Sequence, residues 1–506
     1  LRSLRTGDAF PGDPQMRLGS RLSHMHTTMR ATAWPLLLTL GLQCRAFAPP
    51  TCVRRVGGGR RMAGAFTPGA GRCFAAAPLT QDPAGSPSAS TTPTMASRGV
   101  IQIRRDVLVV GGGLAGLSTA LELARRGRQV TVLSRDGAES ASLAAGGMLA
   151  PQAERLEEGP YLDLCLSSRA MYSDWLADVE AIAGLGEGNA DAGLGANGGF
   201  LAPAFEGDAV HRWKPPPGSG QSYWYDRKQV LELEPRLSPE VVGGWVYPQD
   251  MCVDAQKLFG VLEQACVKAG VEILHGAEAT SFVFDKVGQS VDAVALRDGR
   301  RIRAKSFVAA TGAWMSELVG LPMEPHKGQM MSLKLPESAW GQPLAGSRRG
   351  AWLGHVLFAE GSYVIPRPDN RIVLGATVEP GEWDLHNTPV GIRQLVERAT
   401  RVCPDLGGLA VERTWAGLRP TTPDFQPVLG ASGRGENLFL AGGYWRNGVL
   451  LAPRAGQLVA DAVMGELSPK DAELTEAFSA DRFSGNGPQA VVVGGEAFTA
   501  AAPGPP

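Results

Sequence analysis

The sequence predicts an α/β protein in which a Rossmann-like domain is interleaved with a domain built on an antiparallel β-sheet. The first part of this prediction rests on a short apolar run, residues 107–110, that leads directly into the glycine-rich residues 111–116. The second part rests on residues 363–367 and 371–377, which are suited to a β-hairpin that turns at 368–370. Alternation between these two kinds of segment favours two interleaved domains with a ligand between them.

The glycine-rich segment has the spacing of a nucleotide-binding turn. Gly111, Gly113 and Gly116 form a Gly-x-Gly-x-x-Gly pattern. The first glycine permits a tight bend, the second lets backbone amides approach a pyrophosphate, and the third allows the following helix to pack closely on the strand. The N-terminus of that helix also favours negative charge. This context predicts that the chain binds a nucleotide.

A helix and a second strand should complete the βαβ unit. Apolar residues at positions 117, 120, 121 and 124 share one helix face, and a glycine at 127 can end the helix. The apolar stretch 129–133 then predicts a second strand, which gives a unit of the expected size.

The end of this second strand lacks an expected group. Such a strand usually offers Asp or Glu to the ribose hydroxyls, whereas here it is followed by Ser134, Arg135 and Asp136. Ser134 would hydrogen-bond a hydroxyl more weakly than a carboxylate does. Asp136 is the alternative ligand.

The middle of the chain continues with alternating helices and strands. Residues 161–182 predict a helix, and Asp254 should cap another helix that ends at Gly270. Strands are expected at residues 271–274, in a hairpin from Val291 that turns at 298–299, and at 307–312, where a strand again breaks at a glycine.

Residues 1–97 have the composition of a targeting presequence. No Asp or Glu occurs from residue 14 to 81, whereas arginine recurs. The apolar residues 31–42 are too short to span a bilayer but long enough for a signal-peptide core, so no stable membrane span is predicted. Residues 44–50 resemble the cleavage region of two-part plastid presequences in algae with secondary plastids. The leader therefore predicts import into a plastid, with another organelle or a merely disordered leader as the alternatives.

Composition excludes several other classes of function. The chain has 506 residues, of which 44% are hydrophobic, so it can bury a large core. Its formal net charge is −1 and no basic face interleaved with aromatic residues is evident, which argues against a nucleic-acid partner. Seven scattered cysteines without metal-ligand spacing argue against a metal site and a disulfide framework. Residues 484–506, rich in Gly, Ala and Pro, predict a disordered tail.

Two arginines mark a candidate site for a small anion. Arg419 lies in the strand-like residues 414–420, and Arg446 lies among the glycines and aromatics of residues 442–453. Arginine can bind a carboxylate through two parallel hydrogen bonds. The residues after Arg446 predict a helix with Pro453 in its first turn and its N-terminus toward the site. An ordinary ion pair is the alternative for Arg419.

Segments in order along the core resemble the D-amino-acid-oxidase superfamily of flavoproteins: residues 111–116, 145–151, 327–329, 363–367, 375–377, 415–420 and 446–453. Within this superfamily they resemble the glycine oxidase of thiamine biosynthesis, particularly the cyanobacterial form. The resemblance covers residues 104–466, far more than one motif. It implies a Rossmann-like FAD-binding domain interleaved with an antiparallel β-sheet substrate domain, a glutathione-reductase-like fold of the D-amino-acid-oxidase type.

The resemblance also implies how the chain is divided. The FAD-binding domain would comprise residues 104–155, 254–325 and 412–466. The substrate domain would comprise residues 156–253 and 326–411.

The same resemblance implies noncovalent FAD and a set of binding residues. Arg419 would bind the substrate carboxylate, the Tyr363 hydroxyl would share it, and Arg446 would lie near substrate and flavin, although Tyr363 in an ordinary strand core is the alternative. No side-chain acid or base is required, and no metal is expected. The cofactor would contact Gly111, Gly113, Leu114, Ala115, Gly116, Ser134, Arg135, Ala145, Gly146, Gly147, Met148, Thr311, Gly312, Gly443, Asn447, Gly448, Val449 and Leu450.

The implied activity is FAD-dependent oxidative deamination of glycine or a similar small amine. The imine would be hydrolysed to the oxo acid or feed thiamine thiazole synthesis, and dioxygen would be reduced to hydrogen peroxide. A sarcosine or D-amino-acid oxidase, or an amino-acid dehydrogenase that passes electrons to a quinone, would use the same carboxylate-binding residues. Tyr444 and Trp445 stand where family members usually have His before the aromatic residue, which alters the pocket wall. A flavin-binding assembly protein would need no such residues, and a homo-oligomer is expected by analogy.

Overall fold

The computed structural model describes residues 104–185, 194, 198–339 and 352–484. The predicted presequence, residues 1–97, lies outside the described residues, as does the predicted tail beyond residue 484. Within the described ranges no helix is long and apolar enough to cross a membrane. In the same part of the chain no group of three or more His, Cys, Asp or Glu side chains is placed to hold a metal ion. The cysteines at 165, 252, 266 and 403 are buried free thiols.

The helices and strands are numbered in chain order. The α-helices in the described part of the chain are α1 Leu114–Arg125, α2 Ala141–Ala144, α3 Pro160–Ala183, α4 Arg227–Leu233, α5 Ala255–Lys268, α6 Met315–Val319, α7 Pro389–Val402, α8 Gly448–Met464 and α9 Pro469–Ala477. The strands there are β1 Arg104–Val110, β2 Val130–Ser134, β3 Met148–Leu149, β4 Phe200–Ala204, β5 Tyr223–Asp226, β6 Gly243–Tyr247, β7 Met251–Cys252, β8 Glu272–His275, β9 Ala279–Phe284, β10 Val291–Leu296, β11 Arg301–Ala309, β12 Glu324–Lys334, β13 Val356–Ala359, β14 Ser362–Pro366, β15 Arg371–Gly375, β16 Glu379–Pro380, β17 Ala410–Thr421, β18 Val428–Ala431 and β19 Leu438–Gly442.

The first sheet contains the predicted βαβ unit. Its strands follow the order β18-β19-β11-β1-β2-β8, and the pairs from β19 through β8 are parallel. β1, α1 and β2 lie where the glycine pattern predicted them, and Asp254 caps α5 by accepting hydrogen bonds from the backbone N–H groups of Gln256 and Lys257. The fold class predicted from the sequence is confirmed.

One strand of this sheet is longer than the sequence suggested. The hairpin that turns at 298–299 and the strand at 307–312 were expected as separate features, but β11 forms both. Its first residues pair antiparallel with β10, and its last residues pair parallel with β1 and β19. The middle of β11 is polar and partly exposed, so it lacks the alternation of apolar and polar residues by which a strand is recognised in a sequence. The two ends of the strand were therefore predicted as separate elements.

The second sheet has nine strands and is almost wholly antiparallel. Its order is β16-β12-β15-β14-β13-β4-β6-β5, and β17 also pairs with β12. The predicted hairpin of β14 and β15 is confirmed, with Asn370 in the left-handed region at φ 64°. The long pair of β12 and β17 places His326 opposite Arg419 and Gly328 opposite Gly417.

Two elements lie outside the domains to which the predicted boundaries assign them. The boundary at 412 falls inside β17, which pairs with β12 in the antiparallel sheet as far as Thr421. α3, from the stretch 156–253, packs against α5 and α8 in the core of the first sheet. Both errors arise because local patterns give the type of an element but not the layer on which it packs.

Pro453 does not lie in the first turn of its helix, which corrects the prediction. α8 begins at Gly448, so Pro453 is inside the helix and cannot donate to the carbonyl of Val449. The Tyr172 hydroxyl of α3 donates to that carbonyl instead, at 3.2 Å. The Ser168 hydroxyl of α3 donates to the next carbonyl, that of Leu450, at 2.6 Å.

Candidate active site

A cavity of about 900 Å³ is lined by residues of both sheets. It extends from the glycines between β1 and α1 to the side chains of Tyr363 and Arg419. A volume of this size lies within the range of about 300–1,000 Å³ that is typical of cofactor and ligand sites.

Most of the residues predicted to bind cofactor or substrate line this cavity. Those that do are Gly111, Gly113, Leu114, Ala115, Ser134, Arg135, Ala145, Gly146, Gly147, Met148, Thr311, Gly312, Tyr363, Arg419, Arg446, Gly448 and Val449.

Four predicted cofactor residues lie behind the cavity wall. Gly116 packs α1 against β1, since a Cβ there would lie 1.9 Å from the Gly111 carbonyl oxygen. Gly443 faces Thr422, and Leu450 is fully buried in the core. Asn447 is also buried, and its amide donates to Glu154 and to the Tyr161 hydroxyl. These residues shape the wall without lining it.

The nucleotide end of the cavity is built from backbone. Gly111 has φ 120°, and a Cβ there would lie 2.1 Å from the carbonyl oxygen of Ala310. Gly113 is the N-cap of α1 and offers no side chain to the helix, while the Leu114 N–H donates to the Ser142 hydroxyl at 3.0 Å. The N-terminus of α1 therefore faces the cavity, as an anion site requires.

The segment after β2 supplies an acidic residue that the sequence analysis did not name. Arg135 lies over the Trp314 ring, with its guanidinium carbon 4.2 Å from the ring centroid, and it is ion-paired with Glu139. Glu139 lines the cavity together with the exposed Asp136. Glu139 was not predicted as a ligand, because it lies in a short 3-10 helix after β2 rather than at the strand end.

Arg419 is the basic side chain at the other end. Its Nη1 donates to the carbonyl of Thr377 at 3.1 Å and, at 3.4 Å, to that of His326. Burial lowers the pKa of Arg419 from its ordinary value, with the charge of Arg446 acting in the same direction and Tyr363 opposing it. An arginine pKa is so high that the group remains a cation. Both of these hydrogen-bond partners are neutral carbonyls. They do not make Arg419 part of an ordinary ion pair, which was the alternative for this residue.

Tyr363 lies beside this arginine on β14. Its hydroxyl donates to Met330 Sδ at 3.0 Å. Burial raises the pKa of Tyr363, and the nearby Arg419 and Arg446 oppose that rise. The hydroxyl therefore stays protonated across the physiological range and can donate a hydrogen bond to an anion.

Arg446 is half-buried and joined to the Arg419 segment. Its guanidinium carbon lies 4.4 Å from the ring centroid of Trp445. The Trp445 N–H donates to the carbonyl of Pro420 at 2.9 Å. Trp445 has φ 45°, a conformation that is costly for a bulky side chain and that occurs most often at functional sites.

Sequence reasoning missed a buried carboxylate near the arginines. Glu154 is 7% exposed and accepts a hydrogen bond from Asn447 Nδ2 at 3.0 Å. Burial raises the pKa of Glu154, while Arg446, Asn447 and Arg419 lower it. The only signal in the sequence is that Glu154 is the first charged residue after residues 145–151.

The family follows from the sequence profile that the core matches. The profile described as FAD dependent oxidoreductase (DAO) matches residues 106–462. This chain is an FAD-dependent oxidoreductase of the DAO family. The chain is also 43% identical over 385 residues to the bifunctional protein ThiO/ThiG of Synechocystis sp., a match that covers 76% of this chain and 55% of that protein. It therefore spans about half the length of that cyanobacterial relative.

Shorter relatives match this FAD-dependent oxidoreductase over nearly their whole length. The glycine oxidase of Geobacillus kaustophilus is 33% identical over 373 residues, which cover 71% of this chain and 93% of that protein. The crystal structure of glycine oxidase from that organism superposes with a TM-score of 0.65 at 30% identity and covers 72% of this chain and 96% of that one. A glycine oxidase structure from Bacillus cereus gives a TM-score of 0.64 at 28% identity.

The cavity of this oxidoreductase fits FAD. The glycine-lined N-terminus of α1 suits a pyrophosphate, and Ser134, Arg135 and Glu139 suit the adenosine part. Two buried hydroxyls that line the cavity, those of Thr311 and Tyr444, have no hydrogen-bond partner among the described residues. A polar ligand would satisfy them, since buried polar groups are normally paired.

Proposed function

We propose that this protein oxidises glycine, or a similarly small amino acid, to the imine and oxo acid with reduction of dioxygen to hydrogen peroxide, and that the product supplies thiamine thiazole synthesis. The observation that carries the proposal is that Arg419 and Tyr363 line the same cavity as the glycine-rich nucleotide end. The names of the relatives, glycine oxidase and ThiO/ThiG, support the choice of substrate.

The residues of this chain bind and orient the substrate. FAD, when bound, supplies a hydride acceptor for the substrate Cα. The guanidinium of Arg419 can hold the carboxylate through two parallel hydrogen bonds, and the protonated Tyr363 hydroxyl can donate a third. Because the carboxylate is fixed at two points, Cα keeps one position, and restriction of this kind accelerates transfer without a side-chain acid or base.

The positive charge of Arg446 complements this arrangement. Arg446 lines the cavity together with Gly448, at the N-terminus of α8. Both groups favour negative charge that develops in the cavity during reaction. Glu154 partly balances the two arginines from behind the wall, through Asn447.

An anaerobic substrate panel tests the proposal. Glycine, sarcosine, D-alanine and D-proline are added to the purified FAD-bound protein, and bleaching of the flavin absorbance is recorded. Oxygen or a soluble quinone is then admitted, and peroxide and reoxidation rates are measured. We expect glycine to bleach the flavin and oxygen to yield peroxide. If sarcosine or a D-amino acid bleaches the flavin faster than glycine, the protein is the corresponding oxidase. If only the quinone reoxidises the flavin, it is a dehydrogenase. If none of the four compounds bleaches the flavin, the proposal is rejected.

Three further properties belong to the proposal. FAD is held noncovalently, so acid precipitation should release it. The protein forms a homo-oligomer, and light scattering measures its mass in solution.

Residues 1–97 direct import into a plastid. Their fusion to a fluorescent protein in an alga with a secondary plastid should therefore label that organelle. Cytosolic fluorescence would contradict this part of the proposal.

A further inference from the structure

The guanidinium of Arg419 lies directly against the backbone of β12 at Gly328. A Cβ atom at position 328 would lie 2.3 Å from Nη1, 2.4 Å from Nη2 and 2.5 Å from the guanidinium carbon. Real Cβ atoms make no contacts that short. The space that a side chain would fill at position 328 is therefore the space that the guanidinium occupies.

The pairing of β12 with β17 explains this contact. His326 is opposite Arg419, and Gly328 is opposite Gly417. Gly328 is thus the diagonal neighbour of Arg419 on the same face, within reach of a long side chain. The face is the one that lines the cavity, since Gly328, Met330 and Arg419 all do so.

Backbone conformation does not account for a glycine at this position. Gly328 lies inside β12 and is not among the glycines with positive φ. A glycine within a strand weakens it, because the flexible unfolded chain loses more entropy and no side chain packs. Alanine would suit the backbone better, so the advantage of glycine at 328 is the room it leaves.

The carbonyl of Thr377, which accepts a hydrogen bond from Arg419, lies just after β15 and is held in place by Gln329 of β12. The Gln329 N–H donates to the Thr377 hydroxyl at 2.8 Å, and the Gln329 side chain donates to Glu379 and Thr388. These bonds fix the backbone at Thr377, whose carbonyl accepts from Arg419 Nη1. Arg419 is held laterally by Thr377, and Gly328 sets how close it lies to the strand.

We propose that Gly328 is a positioning residue for carboxylate binding: by its lack of a side chain it sets the depth at which the Arg419 guanidinium meets the substrate. This inference rests on the proposed role of Arg419. An alanine at 328 would push the guanidinium into the cavity, away from the Thr377 carbonyl. The carboxylate would then lose both room and its paired hydrogen bonds.

The test is a double-mutant cycle on the FAD-bound full chain, with Gly328→Ala, Arg419→Ala and the double variant. The probe for the carboxylate site is acetate, followed through the absorbance of bound FAD, and stability is the thermal unfolding midpoint. Gly260→Ala is the control, because Gly260 is exposed in α5 and a Cβ there would meet nothing within 4 Å.

With Arg419 present, Gly328→Ala should raise the Kd of acetate about tenfold or more. The unfolding midpoint should change little, because the atoms that a Cβ would meet are the far end of a flexible side chain that can move into the cavity. In the Arg419→Ala background the same change should leave the midpoint equal or higher, because the clash is gone and only the strand preference remains. Gly260→Ala should leave the Kd of acetate unchanged.

The outcomes separate the two proposals. If Arg419→Ala binds acetate like the wild type, the role of Arg419 in the proposed function is wrong. If Arg419→Ala weakens acetate but Gly328→Ala leaves the Kd unchanged, only the inference about Gly328 is wrong. If Gly328→Ala does not fold, a folded double variant supports the inference and an equally unfolded double variant overturns it.

Discussion

The two ends of the cavity both depend on glycines that leave no room for a side chain, but for different reasons. At the nucleotide end, Gly111 and Gly116 let backbone approach backbone between β1, α1 and β11. At the carboxylate-binding end, Gly328 and Gly375 make room for the protein's own side chains, those of Arg419 and Tyr363. The first end is a local structure, made mostly within one short segment. The second exists only when β12 has paired with β17 and with the β14–β15 hairpin.

The largest expected difference between the two ends comes from Arg419→Ala. Removal of this half-buried cation should weaken glycine binding by about 2–5 kcal/mol, because the charge pair with the substrate carboxylate is lost. The Kd of FAD should stay within a few-fold of the wild type, since the nucleotide end is untouched. Glycine binding is read from anaerobic flavin bleaching at a series of concentrations, and FAD binding from fluorescence titration.

Arg413→Ala is the matched control for that change. Arg413 is an exposed arginine on the same strand, and it does not line the cavity. Glycine binding should remain normal in this variant. Equal losses in Arg413→Ala and Arg419→Ala would mean that strand β17 tolerates no change, and the proposed carboxylate contact would lose its support.

Gly116→Ala should produce the reverse pattern. A methyl group 1.9 Å from the Gly111 carbonyl oxygen forces α1 away from β1, at a cost of about 1–3 kcal/mol in the free energy of unfolding. FAD affinity should fall, whereas acetate should still bind whatever fraction carries FAD. Urea unfolding and FAD titration measure these effects. Gly408→Ala, at a position where a Cβ meets nothing within 4 Å, should change neither.

Tyr363→Phe should have a smaller effect confined to the carboxylate end. The variant keeps the ring over Gly375 and removes one hydroxyl donor, so acetate binding should weaken by about 0.5–1.5 kcal/mol. The unfolding free energy should fall by no more than about 0.5–1.5 kcal/mol. The hydroxyl donates to the weak acceptor Met330 Sδ and also interacts with Arg419, whose guanidinium keeps its bonds to the carbonyls of Thr377 and His326. An unchanged Kd for acetate would assign Tyr363 to packing alone.

The smallest effect is a pH dependence at the carboxylate-binding end. Burial lowers the pKa of His326, and Arg419 and Arg446 lower it further, while Glu324 opposes them. Histidine in the unfolded chain has a pKa of about 6.5, so below that pH the unfolded state binds more protons at this residue than the folded state does. The free energy of unfolding therefore falls as the pH drops below about 6.5. His326→Gln should show a shallower fall in urea unfolding at pH 7.5, 6.5 and 5.5. Identical slopes would show that other groups titrate.

The same contrast explains what the sequence could predict. The βαβ unit, the β14–β15 hairpin and the Asp254 cap depend on residues close together in the chain, and all three were recognisable from local patterns. The strand character of the residues around Arg419 was also predicted, but the sheet to which this strand belongs was not. It depends on pairing with β12 some 90 residues earlier, which no local pattern encodes. The Gly328 contact and the Glu154 carboxylate were missed for the same reason. Gly328 contacts Arg419 and Glu154 accepts from Asn447, and both neighbours are distant in sequence.

Pro453 couples the hydrogen bonding of α8 to its packing against α3. The carbonyl that this proline leaves without a helical donor receives the hydroxyl of Tyr172, which lies 277 residues earlier in the chain than Val449. α3 is synthesised before α8, so the hydroxyl donors exist before the carbonyls that need them. The first turns of α8, which line the cavity through Gly448 and Val449, have their full set of hydrogen bonds only when α8 packs against α3.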